Sequence, residues 1–270
     1  MLKGSTLGFI GGGNMAEAII KGLLAGGVAA ADVMVAEPVA ARREYLHGTY
    51  GIDVRADNGQ VVAAADALVM AVKPQVFRGM VTALGPACLD GKLLISIMAG
   101  ITTADMEEVC GSAARVIRVM PNTPALVLAG ASALCRGRNA TDDDLFFATG
   151  IFELVGTTCV VEEKLMDAVT GVSGCGPAYA FLFMEALSDA GVKNGLPRDV
   201  ATRLAAQTLL GAAKLLLETG DHPGVLKEKV TSPGGSTIAG IGTLERDAFR
   251  GAVMAAVDAA TARSAELGKK

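Results

Sequence analysis

The chain has no tryptophan, only 4% aromatic residues and two histidines, His47 and His222. Its five cysteines, Cys88, Cys110, Cys135, Cys159 and Cys175, stand far apart with no Cys-x-x-Cys pair and no neighbouring histidine. That scarcity speaks against a zinc site and against a disulfide framework, and leaves the thiols to be read as small buried hydrophobes. Basic residues never run longer than the pairs Arg42-Arg43 and Lys269-Lys270, and the formal charge is -4, so no surface for tracking phosphates is expected and nucleic acid is not an expected partner. Long apolar runs are missing too. The stretches between Arg118 and Arg136 and between Asp167 and Glu185 are broken by Pro121, Pro124 and Pro177, so no membrane span is expected. Met1 to Phe9 passes directly into a strand-like pattern with no room for a cleavable leader, and a cytoplasmic location is the expectation.

What is present is aliphatic. Hydrophobic residues make up 51% of 270 residues, enough for two domains of roughly 100–200 residues each. From residue 6 to about residue 160, short runs rich in β-branched residues alternate with helix-length patterns. The expected strands are Thr6 to Ile10, Val33 to Ala36, Ala67 to Val72, Leu93 to Ile97, Arg115 to Met120, Ala131 to Cys135 and Thr158 to Val161. Their near-continuous apolar character suits a parallel sheet covered on both faces. Thr141 followed by Asp142, Asp143 and Asp144 reads as a helix N-cap with an acidic first turn. After Glu162 the strand signals stop, and helices are expected over 163–171, 178–194, 197–219, 224–230, 237–244 and 248–267. The expected fold is therefore an α/β, Rossmann-type, doubly wound sheet in residues 1–161 followed by an all-α unit in 162–270. The apolar helix faces of the second unit exceed what a bundle of about 110 residues needs to hide, which points to a homo-oligomer.

The strand-turn-helix at the start carries Gly11-x-Gly13-x-x-Ala16. Gly11 would make the tight turn, Gly13 would admit a pyrophosphate, and Ala16 would let the helix pack closely on its strand. The amides of the helix start, those of Asn14 and Met15 among them, would face the negative charge. The second strand ends at Glu37, where a ribose 2′-hydroxyl would sit, which argues for NAD; Arg42 and Arg43 follow closely and could instead neutralise the 2′-phosphate of NADP. A helix start that favours acid is the structural alternative for Glu37. Lys73 ends another strand at the same edge, as a cofactor contact or as a solvated lysine. Pro121-Asn122-Thr123-Pro124 leaves two polar groups on a stiff loop that suits a carboxamide, or an ordinary proline-rich turn. In the helical half, Ser232-Pro233-Gly234-Gly235-Ser236-Thr237-Ile238 runs directly into a helix. Its amides could cradle a small carboxylate without any arginine, unless Ser236 merely caps the helix.

The order and spacing of these segments, together with Val72-Lys73-Pro74, Ser96 to Gly100, Met120 to Pro124, Val172 to Tyr179 and Glu218 to Gly224, resemble the pyrroline-5-carboxylate reductase family over essentially the whole chain. The resemblance implies reduction of the cyclic imine L-1-pyrroline-5-carboxylate to L-proline by NADPH or NADH, in an enzyme with a Rossmann domain and a helical dimerisation domain. By position it assigns Ser232, Gly235, Ser236 and Thr237 to the substrate carboxylate, with the Thr237 hydroxyl near the imine nitrogen. It assigns Asn58 to the adenosine side of the cofactor with Lys73 beside it, Asn122 and Thr123 to the nicotinamide side, and Val172 to Pro177 to the pocket lining. Cys175 occupies a position that is often Ser in relatives, so no thiol chemistry is implied. Many relatives carry small or basic residues where Glu37 stands and prefer NADPH. Two other readings of the same residues are a β-hydroxyacid dehydrogenase using Lys193, and a dinucleotide-sensing dimer without catalysis. His222, in a turn entering a helix, is read as structural.

Overall fold

The computed structural model describes residues 4–268; the Lys269-Lys270 pair lies outside them. In chain order the first half contains β1 (Leu7–Ile10), α1 (Asn14–Ala25), β2 (Val33–Ala36), α2 (Ala40–Tyr50), β3 (Asp53–Arg55), α3 (Asn58–Ala64), β4 (Ala67–Met70), α4 (Pro74–Leu84), β5 (Leu93–Ser96), α5 (Thr103–Cys110), β6 (Arg115–Met120), β7 (Gly130–Arg136), α6 (Asp142–Glu153) and β8 (Gly156–Val160). The strands form one sheet in the order β3-β2-β1-β4-β5-β6-β7-β8. The order reverses beside β1, the place where doubly wound sheets bind ligands.

Every residue of β1, β2, β4 and β5 is buried, because the alternating side chains of each strand enter two separate cores. On one face Leu7, Phe9, Val33 and Val35 pack with Ile19 and Leu23 of α1 and with Phe152 of α6. On the other, Ile10, Met34, Leu68 and Met70 pack with Val61, Phe77 and Met106 of α3, α4 and α5. Helices α5 and α6 each start with a reciprocal capping box, Thr102 with Asp105 and Thr141 with Asp144. Arg115 then reaches the buried Asp144 carboxylate at 2.6 Å.

Two features depart from the sequence expectation. Strand β3, with its charged Asp53 and Arg55, was not expected; it is a short sheet edge, where polar residues are tolerated. The sheet is also not wholly parallel. β7 runs antiparallel to β6, whereas β7 and β8 are again parallel. The link from Met120 to Gly130 holds only a short 3-10 turn, Thr123–Val127, and a parallel return would need a crossover of about a dozen residues or more.

The helical half comprises α7 (Met166–Val169), continued by a π-helical turn over Thr170–Gly174, then α8 (Gly176–Lys193), α9 (Arg198–Thr219), α10 (Pro223–Lys229), α11 (Ser236–Arg246) and α12 (Phe249–Leu267). The chain groups into two compact units. One runs through Cys175 and takes in the last helix from Ala259; the other is Gly176–Asp258. Within the second unit α8 and α9 pack closely enough that a Cβ on Gly191 would lie 2.9 Å from that of Ala201. Phe181, Leu182, Leu204, Leu210, Leu217 and Met254 are exposed in the single chain. Among the described residues α9 is the one helix long and apolar enough, by length and composition, to cross a membrane.

Candidate dinucleotide and carboxylate sites

At the sheet's carboxyl edge, Gly11 has φ +101°, and a Cβ there would sit 2.7 Å from the Ala71 carbonyl oxygen. Only glycine turns the chain that tightly against β4. Gly13 is the N-cap of α1 and has no side-chain cap; a Cβ on it would enter open space. Ala16 is buried. The three positions singled out in the sequence therefore do what a phosphate-binding turn needs, with the first amides of α1 free of a capping side chain.

Gly12, which the sequence did not single out, is held harder than its neighbours. Its N–H donates to Glu37 Oε2 at 3.0 Å, and its carbonyl accepts from Arg42 Nε at 2.6 Å. A Cβ on it would lie 2.7 Å from Leu46 Cδ1. Glu37 is 8% exposed, and its other oxygen accepts the Val39 N–H at 2.9 Å. Arg42 also pairs with Glu17 at 2.6 Å, and Arg43 donates to the carbonyls of Glu37 and Pro38. Both arginines that could have met a 2′-phosphate thus have partners within the protein. Glu17 further accepts the hydroxyls of Tyr45 and Tyr50. Burial works to raise its carboxyl pKa, but the bonds from Tyr50, Arg42 and Tyr45 outweigh it and hold it below the ordinary value. Burial and the facing Glu17 carboxylate push the Tyr50 phenol up to about 12.

Asn58 is the half-buried first residue of α3, behind an Asp57 N-cap that accepts the Gly59 N–H at 2.6 Å. Lys73 is exposed at the N-cap of α4, and Thr123 is exposed at the start of the turn after β6. Asn122 is 9% exposed, and its side chain is engaged: Oδ1 accepts the Ala131 N–H at 2.9 Å and Nδ2 donates to the Ser173 carbonyl at 3.1 Å. No sequence signal announced that bridge. The donor set fits a dinucleotide, with uncapped amides for the pyrophosphate, a carboxylate for ribose hydroxyls and a polar loop for the carboxamide.

In the helical unit the glycine-rich loop turns at Gly234, φ +67°, and Gly235 is the N-cap of α11. Ser236 is the first helical residue, so it does not cap the helix, and no side chain does. The amides of Ser236 and Thr237 belong to an uncapped first turn with exposed hydroxyls beside them, which is the arrangement an anion cradle requires. His222 caps α10 through Nδ1, which accepts the Gly224 N–H at 3.1 Å, the structural role expected of it. Lys193 is the last, exposed residue of α8. Of the cysteines only Cys110 and Cys135 are buried, fewer than expected; Cys88 and Cys159 are exposed and Cys175 is half-buried. Burial pushes both buried thiols up to about 12. Among the described residues no cluster could hold a metal ion.

Residues 163–267 match the family model for pyrroline-5-carboxylate reductase dimerisation, and residues 6–100 match a model described as NADP oxidoreductase, coenzyme F420-dependent. A pyrroline-5-carboxylate reductase of Synechocystis is 49% identical, covering 98% of both chains. The structure of a pyrroline-5-carboxylate reductase from Coxiella burnetii superposes with a TM-score of 0.92 at 38% identity, covering 97% of this chain and 98% of that one. The Plasmodium falciparum pyrroline carboxylate reductase, crystallised with NADP bound, gives 0.88 at 34% identity over 98% and 99%. With relatives this similar over nearly its full length, the chain belongs to the pyrroline-5-carboxylate reductase family.

Proposed function

We propose that this protein reduces L-1-pyrroline-5-carboxylate to L-proline, the final step of proline synthesis, with NADPH or NADH. The observation that carries the reading is 49% identity to a pyrroline-5-carboxylate reductase over 98% of both chains. When bound, the reduced dinucleotide supplies the hydride.

The chain's own part is mainly positioning, since two groups held at about 3–3.5 Å in the right orientation react as one molecule. Ser232, Gly235, Ser236 and Thr237 hold the substrate carboxylate through hydroxyls, backbone amides and the α11 dipole. The Thr237 hydroxyl hydrogen-bonds the imine nitrogen and holds or delivers a proton there, because a protonated imine is the better acceptor. Gly11, Gly13, Asn14 and Met15 take the pyrophosphate and Glu37 takes the ribose. Asn58 and Lys73 lie on the adenosine side, the Asn122–Thr123 loop lies against the carboxamide, and Val172 to Pro177 line the pocket.

Residues 1–161 act as the dinucleotide domain and 162–270 as the substrate-binding and dimerisation domain. The exposed Phe181 and the exposed leucines of α8 and α9 are covered by a second copy, each contributing about 1.5–3 kcal/mol when fully buried. The working form is a homodimer, or an assembly of dimers, in the cytoplasm.

The test is oxidation of NADPH and of NADH on addition of the cyclic imine, with a 2-hydroxyacid as control. Proline should appear in step with nucleotide oxidation. Activity on the hydroxyacid and none on the imine would overturn the reading.

A further inference from the structure

Asn122 lies in the loop after β6, which the proposed function assigns to the cofactor, yet its side-chain amide is spent on the protein itself. The Ala131 N–H can only donate, so Oδ1 must face it, and that orientation aims Nδ2 at the Ser173 carbonyl 3.1 Å away.

Why that carbonyl needs a donor follows from the sequence. In a continuing helix the Ser173 carbonyl would accept the N–H of the residue four positions on, and that residue is Pro177, which has none. The proline ring would also crowd the same carbonyl. The chain answers with a π-helical turn over Thr170–Gly174, closed by the Cys175 N–H donating to the Thr170 carbonyl at 2.8 Å. Turns of this kind widen the helix locally and recur at functional sites. Gly174 then lies so close to the sheet that a Cβ on it would be 2.8 Å from Met120 Cε. The turn is therefore pinned twice, by consecutive elements at the carboxyl end of β6: Met120 by contact and Asn122 by a hydrogen bond.

We infer that Asn122 is a positioning residue. It supplies the donor that Pro177 withholds, and so sets the Ser173–Gly174–Cys175 backbone that the proposed function assigns to substrate binding, instead of binding the cofactor through its side chain. The inference rests on the imine-reductase reading for what the pocket holds, and the hydrogen bond itself does not depend on that reading.

The experiment is a double-substitution cycle of Asn122→Ala and Pro177→Ala in the full-length enzyme. With imine reduction as the readout, Asn122→Ala should lower kcat by about 10- to 100-fold, as small misplacements of reacting groups do, while the Kd for NADPH from fluorescence titration stays within about twofold. In the Pro177→Ala background, where residue 177 has its own N–H, the same substitution should cost about threefold or less. Amide hydrogen exchange over residues 170–176 should quicken in Asn122→Ala and recover in the double variant. Should Asn122→Ala fail to fold, Asn122→Asp keeps the acceptor for Ala131 and sets an oxygen against the Ser173 carbonyl in place of the donor, and a kcat loss at least as large is expected of it.

An NADPH Kd weakened as much as kcat/KM falls, an unchanged kcat, or the full penalty persisting beside Pro177→Ala would each overturn the inference. Wild-type enzyme inactive on the imine would instead count against the assigned reaction, and hydrogen exchange would still decide whether Asn122 holds the turn.

Discussion

Glu37 Oε2 accepts the Gly12 N–H at 3.0 Å, so the carboxylate just after β2 is tied into the glycine-rich turn that follows β1. Because Oε1 is engaged by Val39 as well, the group is held in place where the proposed function puts the ribose, with lone pairs left on both oxygens. A 2′-phosphate brought there meets a fixed negative charge, and Arg42 and Arg43 are turned to other partners.

Replacing Glu37 by serine should therefore raise the ratio of NADPH to NADH efficiency by about tenfold or more, equivalent to roughly 1.4 kcal/mol of removed repulsion and lost ribose bonding. The check is kcat/KM for each nucleotide in wild type and Glu37→Ser. A ratio that stays put removes Glu37 from cofactor choice.

Thr237 stands in the first, uncapped turn of α11. Thr237→Ala should cut turnover by something on the order of 10²-fold, the size of a general-acid contribution, without change in circular dichroism or oligomer size. Thr237→Ser keeps the hydroxyl and should recover most of the rate. Equal steady-state rates in wild type and Thr237→Ala would take the hydroxyl out of the chemistry.

The depressed Glu17 carboxyl makes a statement about stability and pH. Its folded pKa lies below the ordinary 4.5, so its contribution is present above about pH 4.5 and is lost as the pH falls through the folded value. Wild type should melt higher than Glu17→Gln at pH 7, and the gap should close as the pH is lowered below about 4.5. A gap that is constant from pH 7 to pH 3 would contradict the ionised, triply bonded carboxylate.

Cys110 and Cys135, held near 12 by burial, carry almost no thiolate at neutral pH. Alkylation at pH 8 in native buffer should leave both unmodified by peptide mass mapping and label them only in denaturant. Labelling of either in the native enzyme would mean that its core opens far more readily than the packing implies.

Most of the sheet could be read from the chain because strands such as Leu93–Ser96 are apolar on both faces and bounded by helix patterns. The helices after residue 176 were legible for the same kind of local reason, since Pro197, Gly220 and Pro223 mark where they start and stop. What escaped is what depends on distant partners. β3 exists because Met34 and Ala36 offer it a ladder. Nothing near Gly12 in the sequence foretells Leu46, and nothing near Asn122 foretells Ser173, 51 positions away. The Gly11 to Ala16 pattern was informative because each residue's task is set by its own backbone, whereas the side chains that fix the turn arrive from Glu37, just after β2, and from α2.

A carboxylate bound at Gly235 to Thr237, as proposed, would be held by peptide dipoles and hydroxyls, which are short-ranged and carry no counterion cloud. A site built on arginine weakens as added electrolyte screens it, over a distance of about 10 Å at 0.1 M. This one should feel little of that, and the chain's overall charge of -4 opposes an incoming acid at long range. Raising ionic strength should therefore leave the imine's KM flat or lower it slightly, the opposite of what a guanidinium-lined pocket would show.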